Sequence, residues 1–169
     1  MGLFSAACKG RGVMASVLVV DDDESFATAL GRIIKELGHT STRAVDGQDG
    51  LIKFQDGDYD LVIADLKMPR MGGVEFIREL KRINKDVVVM VITGYSDLAS
   101  AVETLTLGAY DYIEKPVSIE KFRAALDRGL EKRRLVAQLN FSKGMIWMIV
   151  ISIPLWMILG IILSYFLKR

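Results

Sequence analysis

Leu61-Val62-Ile63-Ala64-Asp65, followed by Leu66-Lys67-Met68-Pro69-Arg70-Met71-Gly72-Gly73, is the stretch on which the reading of this 169-residue chain turns. Four apolar residues run into one carboxylate, and a Pro/Gly-rich loop begins. A short continuous apolar run bounded by turn signals reads as a strand buried on both faces, so Asp65 stands where that strand leaves the core and meets solvent. Such a carboxylate has two readings. It is well placed to be a nucleophile, and it is equally an ordinary turn starter, since Asp often opens a turn through its own side chain.

The same alternation of strand and helix repeats on either side. Val17-Leu18-Val19-Val20 predicts a buried strand, and Phe26, Leu30, Ile33, Ile34 and Leu37 follow at helical spacing up to Gly38. A weaker strand over 40–45 precedes a short helix around Leu51 to Phe54. After residues 61–64, the positions Phe76, Ile77, Leu80 and Ile83 share one helix face. Val87 to Ile92 is a β-branched run, and Leu98, Ala101, Val102 and Leu105 make the apolar stripe of a helix that Gly108 stops. Tyr110 to Ile113 predicts a fifth strand, and Ser118 can cap a fifth helix carrying Ile119, Phe122, Leu126 and Leu130.

Five strand-helix units in succession predict a parallel sheet with helices on both faces, because each crossover is right-handed and must cover the sheet. Ligands in such open sheets bind outside the carboxyl ends of the strands. The residues standing there are Asp21, Asp22 and Asp23, then Asp65, then Thr93 and Gly94, then Lys115 and Pro116. Converging carboxylates repel one another unless a cation is present, and hard oxygen ligands with room for water suit Mg²⁺. Lys115 and Thr93 supply a positive charge and a hydroxyl suited to phosphoryl oxygens. A carboxylate such as Asp65 can itself attack phosphorus and form an aspartyl phosphate. Each residue also has a plain reading: Asp21 to Asp23 as a helix N-cap run, with Asp23 the best candidate, Thr93 as a turn residue, Lys115 as a solvated lysine and Tyr112 as strand packing. It is the joint placement at successive strand ends that favours chemistry.

Val19-Val20-Asp21-Asp22-Asp23-Glu24, Asp65-Leu66-Lys67-Met68-Pro69-Arg70-Met71-Gly72-Gly73, Ile92-Thr93-Gly94 and Tyr112-Ile113-Glu114-Lys115-Pro116 occur in this order. In these pieces the chain from residue 17 to about 130 resembles the receiver domain of two-component response regulators. The resemblance implies a flavodoxin-like, doubly wound sheet of five parallel strands, (βα)5. It implies that Asp65 is the phosphoacceptor and that Asp21, Asp22, Asp65 and the backbone carbonyl of Lys67 hold Mg²⁺. It further implies that Thr93 and Lys115 bind the phosphoryl group, that Thr93 and Tyr112 form the switch, and that the bond before Pro116 is cis. Gly72 departs from the Asp found in many receivers, which touches the loop and leaves the chemistry intact.

The flanks are of different material. Residues 1–15 have no period and a Gly-rich half, and are expected to be a disordered leader; Met14 is an equally good start. Leu3 to Cys8 lacks the basic and apolar region that precedes a lipoprotein cleavage site, and no myristoylation pattern follows Gly2. The single cysteine excludes an internal disulfide, and one His without a Cys pair argues against zinc. With 22 Lys and Arg against 21 Asp and Glu, no overall field points to nucleic acid, and none is expected as a partner. Beyond the receiver at 16–130, a helical basic linker is expected over 131–143, carrying Lys132, Arg133, Arg134 and Lys143. Residues 145–167 contain no charge and, at ~1.5 Å per residue, match the ~30 Å hydrocarbon core of a bilayer. A transmembrane helix is therefore expected over 144–167, anchored by Trp147 and Tyr165 and with Pro154 as a kink, before the basic tail 168–169. More basic residues precede the span than follow it, which puts the receiver on the cytoplasmic side of the inner membrane.

The expected protein is thus a membrane-anchored receiver rather than an enzyme, with no output domain of its own. It takes a phosphoryl group from a histidine kinase or a phosphotransfer protein and passes the signal to an effector protein. A homodimer through the fourth helix, fifth strand and fifth helix is an option. A phosphate sink is compatible with the same residues. A haloacid dehalogenase-type phosphohydrolase is not favoured, because the second Asp that such enzymes need two residues after the nucleophile is here Lys67.

Overall fold

The side chains of Val17 and Val19 pack on one face of a sheet and those of Leu18 and Val20 on the other, and both sets are buried. Successive strand residues point to opposite faces, so a strand covered on both sides has to be apolar throughout. The computed structural model describes residues 14–94, 98–139 and 152. The chain divides into two units, Met1–Arg133 and Arg134–Arg169.

In the first unit the elements are β1 (Ser16–Val20), α1 (Glu24–Glu36), β2 (Thr40–Ala44), α2 (Gly47–Asp56), β3 (Leu61–Ala64), α3 (Gly73–Ile83), β4 (Val89–Thr93), α4 (Leu98–Thr106) and β5 (Asp111–Glu114). A last helix, α5, begins at residue 119 and is helical to 133 within this unit. In the second unit, residues 134–139 and 152 are helical. The five strands are parallel in the order β2-β1-β3-β4-β5, the doubly wound flavodoxin-like arrangement expected. One core lies between the sheet and α1 and α5, built on Leu30, Ile34, Ile63, Met90, Phe122 and Leu126. The second lies on the opposite face, built on Val62, Phe76, Ile77, Leu80, Val89 and Val91.

Two expectations need correction. Ala15, placed in the leader, is already buried, and its carbonyl accepts a hydrogen bond from the Thr40 amide at 2.9 Å, next to the first residues of the β1–β2 pairing. At Gly129 a Cβ would lie 2.9 Å from Cδ1 of buried Leu61, so the missing side chain lets α5 approach β3. The apolar stripe of α4 faces outward. Leu98, Val102 and Leu105 are exposed, whereas Thr104 is fully buried and donates its hydroxyl to the carbonyls of Ser100 and Ala101, both at 3.0 Å. A threonine that bonds back to its own helix can be buried without another partner, which frees the larger residues for the surface.

Among the described residues no helix is long and apolar enough to cross a membrane. The leader up to residue 13 and the expected span, apart from Ser152, lie outside the described residues.

Candidate functional site

The connection from β1 leads outward to β2, and the chain then returns across β1 to place β3, β4 and β5 on its other side. The crevice at this reversal, at the carboxyl ends of β1 and β3, is where open α/β sheets hold ligands. Val20 pairs with Ala64 in register, so Asp21 and Asp65 emerge side by side as the next residues. Backbone bonds hold both: the Asp65 amide donates to the carbonyl of Val20 at 3.0 Å, and that of Asp21 to Ala44 at 3.1 Å.

Lys115 arrives from β5. Its amide donates to the carbonyl of Thr93, the last residue of β4, at 2.8 Å, and the Lys115–Pro116 bond is cis. Its Nζ donates to Oδ2 of Asp21 and to Oδ2 of Asp65, at 2.7 Å each, and lies 4.1 Å from the centre of the Phe26 ring. The other oxygens are also engaged. Oδ1 of Asp21 accepts from the Asp23 amide at 2.8 Å, and Oδ1 of Asp65 from the Lys67 amide at 3.1 Å. Asp21, Asp65 and Thr93 are buried, while Asp22 is exposed at the mouth. Tyr112, on β5, is half-buried against the second core. Asp23 is the N-cap of α1, its side chain accepting from the Phe26 amide at 3.0 Å, as its plain reading had it.

Burial pushes the Asp21 carboxyl above its ordinary value, against the pull of Lys115 and the Asp23 amide, and the neighbouring Asp65 charge adds to the rise. For Lys115, burial alone would lower the ammonium, but its hydrogen bonds to Asp21 and Asp65 outweigh burial and raise it. Two buried carboxylates share one ammonium, so the site holds excess negative charge and favours a cation. Asp21, Asp22 and Asp65 each offer an oxygen, and the three lie within 4.8 Å of one another. An octahedral Mg²⁺ with bonds of ~2.1 Å needs oxygens no more than ~4.2 Å apart, so the donor set fits such an ion with a small inward adjustment.

Phe26, Gly73 and Arg70 are also brought here, in roles that the sequence pattern did not assign to them. Phe26 read only as a helix core position, and its ring lies beside the Lys115 ammonium. Gly73 starts α3 beneath the Asp65 loop, where a Cβ would come within 2.2 Å of the Asp65 carbonyl oxygen. Arg70, at φ 63°, forms an ion pair with Asp46, the fully buried N-cap of α2, and so ties the loop after Asp65 to a second helix.

The family profile of the response regulator receiver domain matches residues 17–127. The chain belongs to this family. Receivers of the family are signalling phosphoacceptor domains that bind Mg²⁺ at an acidic pocket and interact with histidine kinases and effectors. This receiver is 36% identical to the transcriptional regulatory protein ZraR of Klebsiella oxytoca over 124 residues, 73% of this chain and 28% of ZraR. It is also similar to the CheY-like receiver domain protein of Methanospirillum hungatei (TM-score 0.70, 26% identity, 72% of this chain and 98% of that one). NtrX of Brucella abortus is similar with a TM-score of 0.72 and 28% identity, over 76% of this chain and 30% of NtrX. The chain thus spans little more than a quarter of the length of ZraR.

Proposed function

We propose that this receiver accepts a phosphoryl group on Asp65 from a histidine kinase, directly or through a phosphotransfer protein, and signals through protein contacts while anchored in the inner membrane. The observation that carries the reading is the Lys115 ammonium held between Asp21 and Asp65 at the sheet's reversal point. An oxygen of Asp65 attacks phosphorus, the P–N bond to the donor imidazole breaks, and its electron pair leaves with the imidazole. Lys115 moves from carboxylate to phosphoryl oxygen, and the Thr93 hydroxyl donates to another, with the aromatic ring of Tyr112 following Thr93. Asp21, Asp22, Asp65 and the carbonyl of Lys67 hold Mg²⁺, which when bound neutralises charge developing on the phosphoryl oxygens. Burial of Asp21 and Asp65 keeps bulk water from competing for these contacts.

The anchor rests on the uncharged run 145–167 and on the basic residues before it, which favour a single pass with the receiver on the cytoplasmic side. Effector contact, or pairing with a second copy, falls to the face of α4, β5 and α5, where Leu98, Val102 and Leu105 are exposed.

The test is incubation of the full chain, in neutral detergent, with acetyl phosphate and Mg²⁺. An acyl phosphate forms on Asp65 and is absent from Asp65→Asn and in excess chelator. Equal labelling of both proteins, or of neither, overturns the reading. The anchor is tested by washing membranes with alkaline carbonate: the chain stays in the pellet, and its release refutes the anchor alone.

A further inference from the structure

At the end of the sheet away from Asp65, the starts of β4 and β5 border a cleft of about 270 Å³ whose lining includes Lys81, Lys85, Asp86, Gly108, Tyr110 and Lys132. Its three lysines come from three places: the last turn of α3, the loop before β4, and α5. Lys81 is the inner one. It is half-buried, and its Nζ donates to the carbonyl of Val87 at 2.7 Å. Asp86 is the one acid among the described lining residues.

Burial pushes the Lys81 ammonium below its ordinary value, Asp86 works against that fall, and the charge of Lys132 adds to it. This is the reverse of the phosphoacceptor site, where carboxylates hold a lysine charged. Here positive charge is gathered with too little negative charge to offset it, around a space large enough for a ligand.

We propose that this cleft is a second ligand site, which binds a phosphate monoester between Lys81, Lys85 and Lys132. Three ammonium groups carried on three separate segments act as point charges, which suits the tetrahedral, doubly charged end of a phosphate better than a planar carboxylate, for which arginine is the matched partner. A bound dianion offsets the excess charge and gives Lys81 a second acceptor beside Val87. The phosphate comes from a lipid headgroup or from a soluble compound. Lys132 is separated from Met145 by at most ~45 Å of extended chain, which keeps a bilayer within reach if the anchor is as proposed. The site itself depends on neither the anchor nor Asp65.

The test reads the acylation rate of Lys81 in the full chain by mass spectrometry, because a deprotonated, unliganded amine reacts and a liganded ammonium does not. One arm adds pyrophosphate or inorganic phosphate to the chain in neutral detergent, against sodium chloride at equal ionic strength. The other compares phosphatidylcholine vesicles with and without phosphatidic acid, with flotation reporting whether the chain is on the vesicles. At ten times the dissociation constant Lys81 is protected about tenfold, because only the small unliganded fraction reacts. Lys132→Gln, an exposed change that leaves the core untouched, reduces this protection. Protection in the detergent arm identifies a soluble phosphate, and protection only with phosphatidic acid identifies a headgroup. No protection beyond the chloride control in the detergent arm and on floated vesicles overturns the proposal. Failure to float refutes the anchor and leaves the detergent arm to decide the site.

Discussion

Nζ of Lys115 lies 2.7 Å from Oδ2 of Asp65, reaching from β5 across β4 to β3. The same ammonium reaches Asp21, so one cation keeps two buried carboxylates from facing each other unscreened. Lys115→Met retains the stem and removes the charge. Without Mg²⁺ it should destabilise the receiver by about 3 kcal/mol, the scale on which a buried ion pair loses when one partner is removed. Adding Asp65→Asn should recover much of that loss, because the repulsion disappears with one of the two charges. Mg²⁺ should raise the melting temperature of the native chain more than that of Asp22→Ala, whose exposed carboxylate matters to the ion and little to the fold. Calorimetry in chelator and in excess Mg²⁺ checks all three. A Lys115→Met protein that melts with the native one in chelator would refute the screening role.

Gly72 and Gly73 are adjacent and should respond in opposite ways. A Cβ on Gly73 would sit 2.2 Å from the Asp65 carbonyl oxygen and 2.7 Å from Cα of Leu66, and backbone cannot move aside as a flexible side-chain end can. Gly73→Ala should cost about 3 kcal/mol, at the upper end for overpacking, and slow labelling of Asp65 by displacing its loop. Gly72 is the N-cap of α3, without a side-chain cap bond, and a Cβ there meets only Leu66 O at 3.5 Å. Gly72→Asp should therefore stabilise by a few tenths of a kcal/mol, the usual difference between Gly and Asp at an N-cap. Denaturant midpoints of the two variants on the same side of the native value would refute the contrast.

The strands and the ends of the sheet were legible because they rest on local signals. A strand buried on both faces has to be apolar throughout, and the residue that follows it is marked by its polarity; Asp21 and Asp65 stood out this way, Thr93 closes the apolar run of β4 as its last residue, and Lys115 follows the polar, half-exposed β5 and was marked only by its place in the motif. What was not legible depends on contacts between distant residues. Nothing near Arg70 announces Asp46, and nothing near Phe26 announces the Lys115 ammonium. The stripe of α4 misled for a related reason. Periodicity finds an apolar face but not what faces it, and here the buried position belongs to Thr104, satisfied by its own helix. Nothing near Gly129 likewise announces Leu61, the side chain that it accommodates, because Leu61 is on another element.

Asp49 stabilises the fold at neutral pH, and that contribution is lost in acid. Oδ2 of Asp49 accepts from Nζ of Lys53 at 2.8 Å and from the Val45 amide at 3.0 Å. The Lys53 bond is the chief reason that its carboxyl lies below its ordinary 3.8, with burial opposing and the Val45 amide adding to the effect. A carboxyl depressed by folding stabilises the fold above its unfolded value, and that contribution is lost as pH falls through the folded value. Asp49→Asn should thus cost about 1 kcal/mol at pH 7, the worth of a charge-assisted bond that is partly exposed, and nothing once the pH is well below 4. Melting temperatures of native and variant chains should converge on acidification. A gap that stays constant to pH 2.5 would show that the loss at neutral pH comes from packing and not from charge.

Leu98, Val102 and Leu105 follow one another at helical spacing on the outer face of α4 and are 80%, 56% and 48% exposed. Because the core does not use them, charge placed there should leave the fold alone: Val102→Glu should change stability by no more than about 0.5 kcal/mol. The same change should act strongly on anything that covers the face. Burying a side chain of this size contributes about 1.5–3 kcal/mol, so its loss should weaken self-association or effector binding at least about tenfold. Sedimentation equilibrium in density-matched detergent, on the phosphorylated and unphosphorylated chain, reads self-association directly. If Val102→Glu and Leu105→Glu associate as the native chain does while Arg128→Glu, which breaks the 3.0 Å pair with Asp111 beside β5, dissociates it, the contact lies on β5 and α5 and α4 is not part of it.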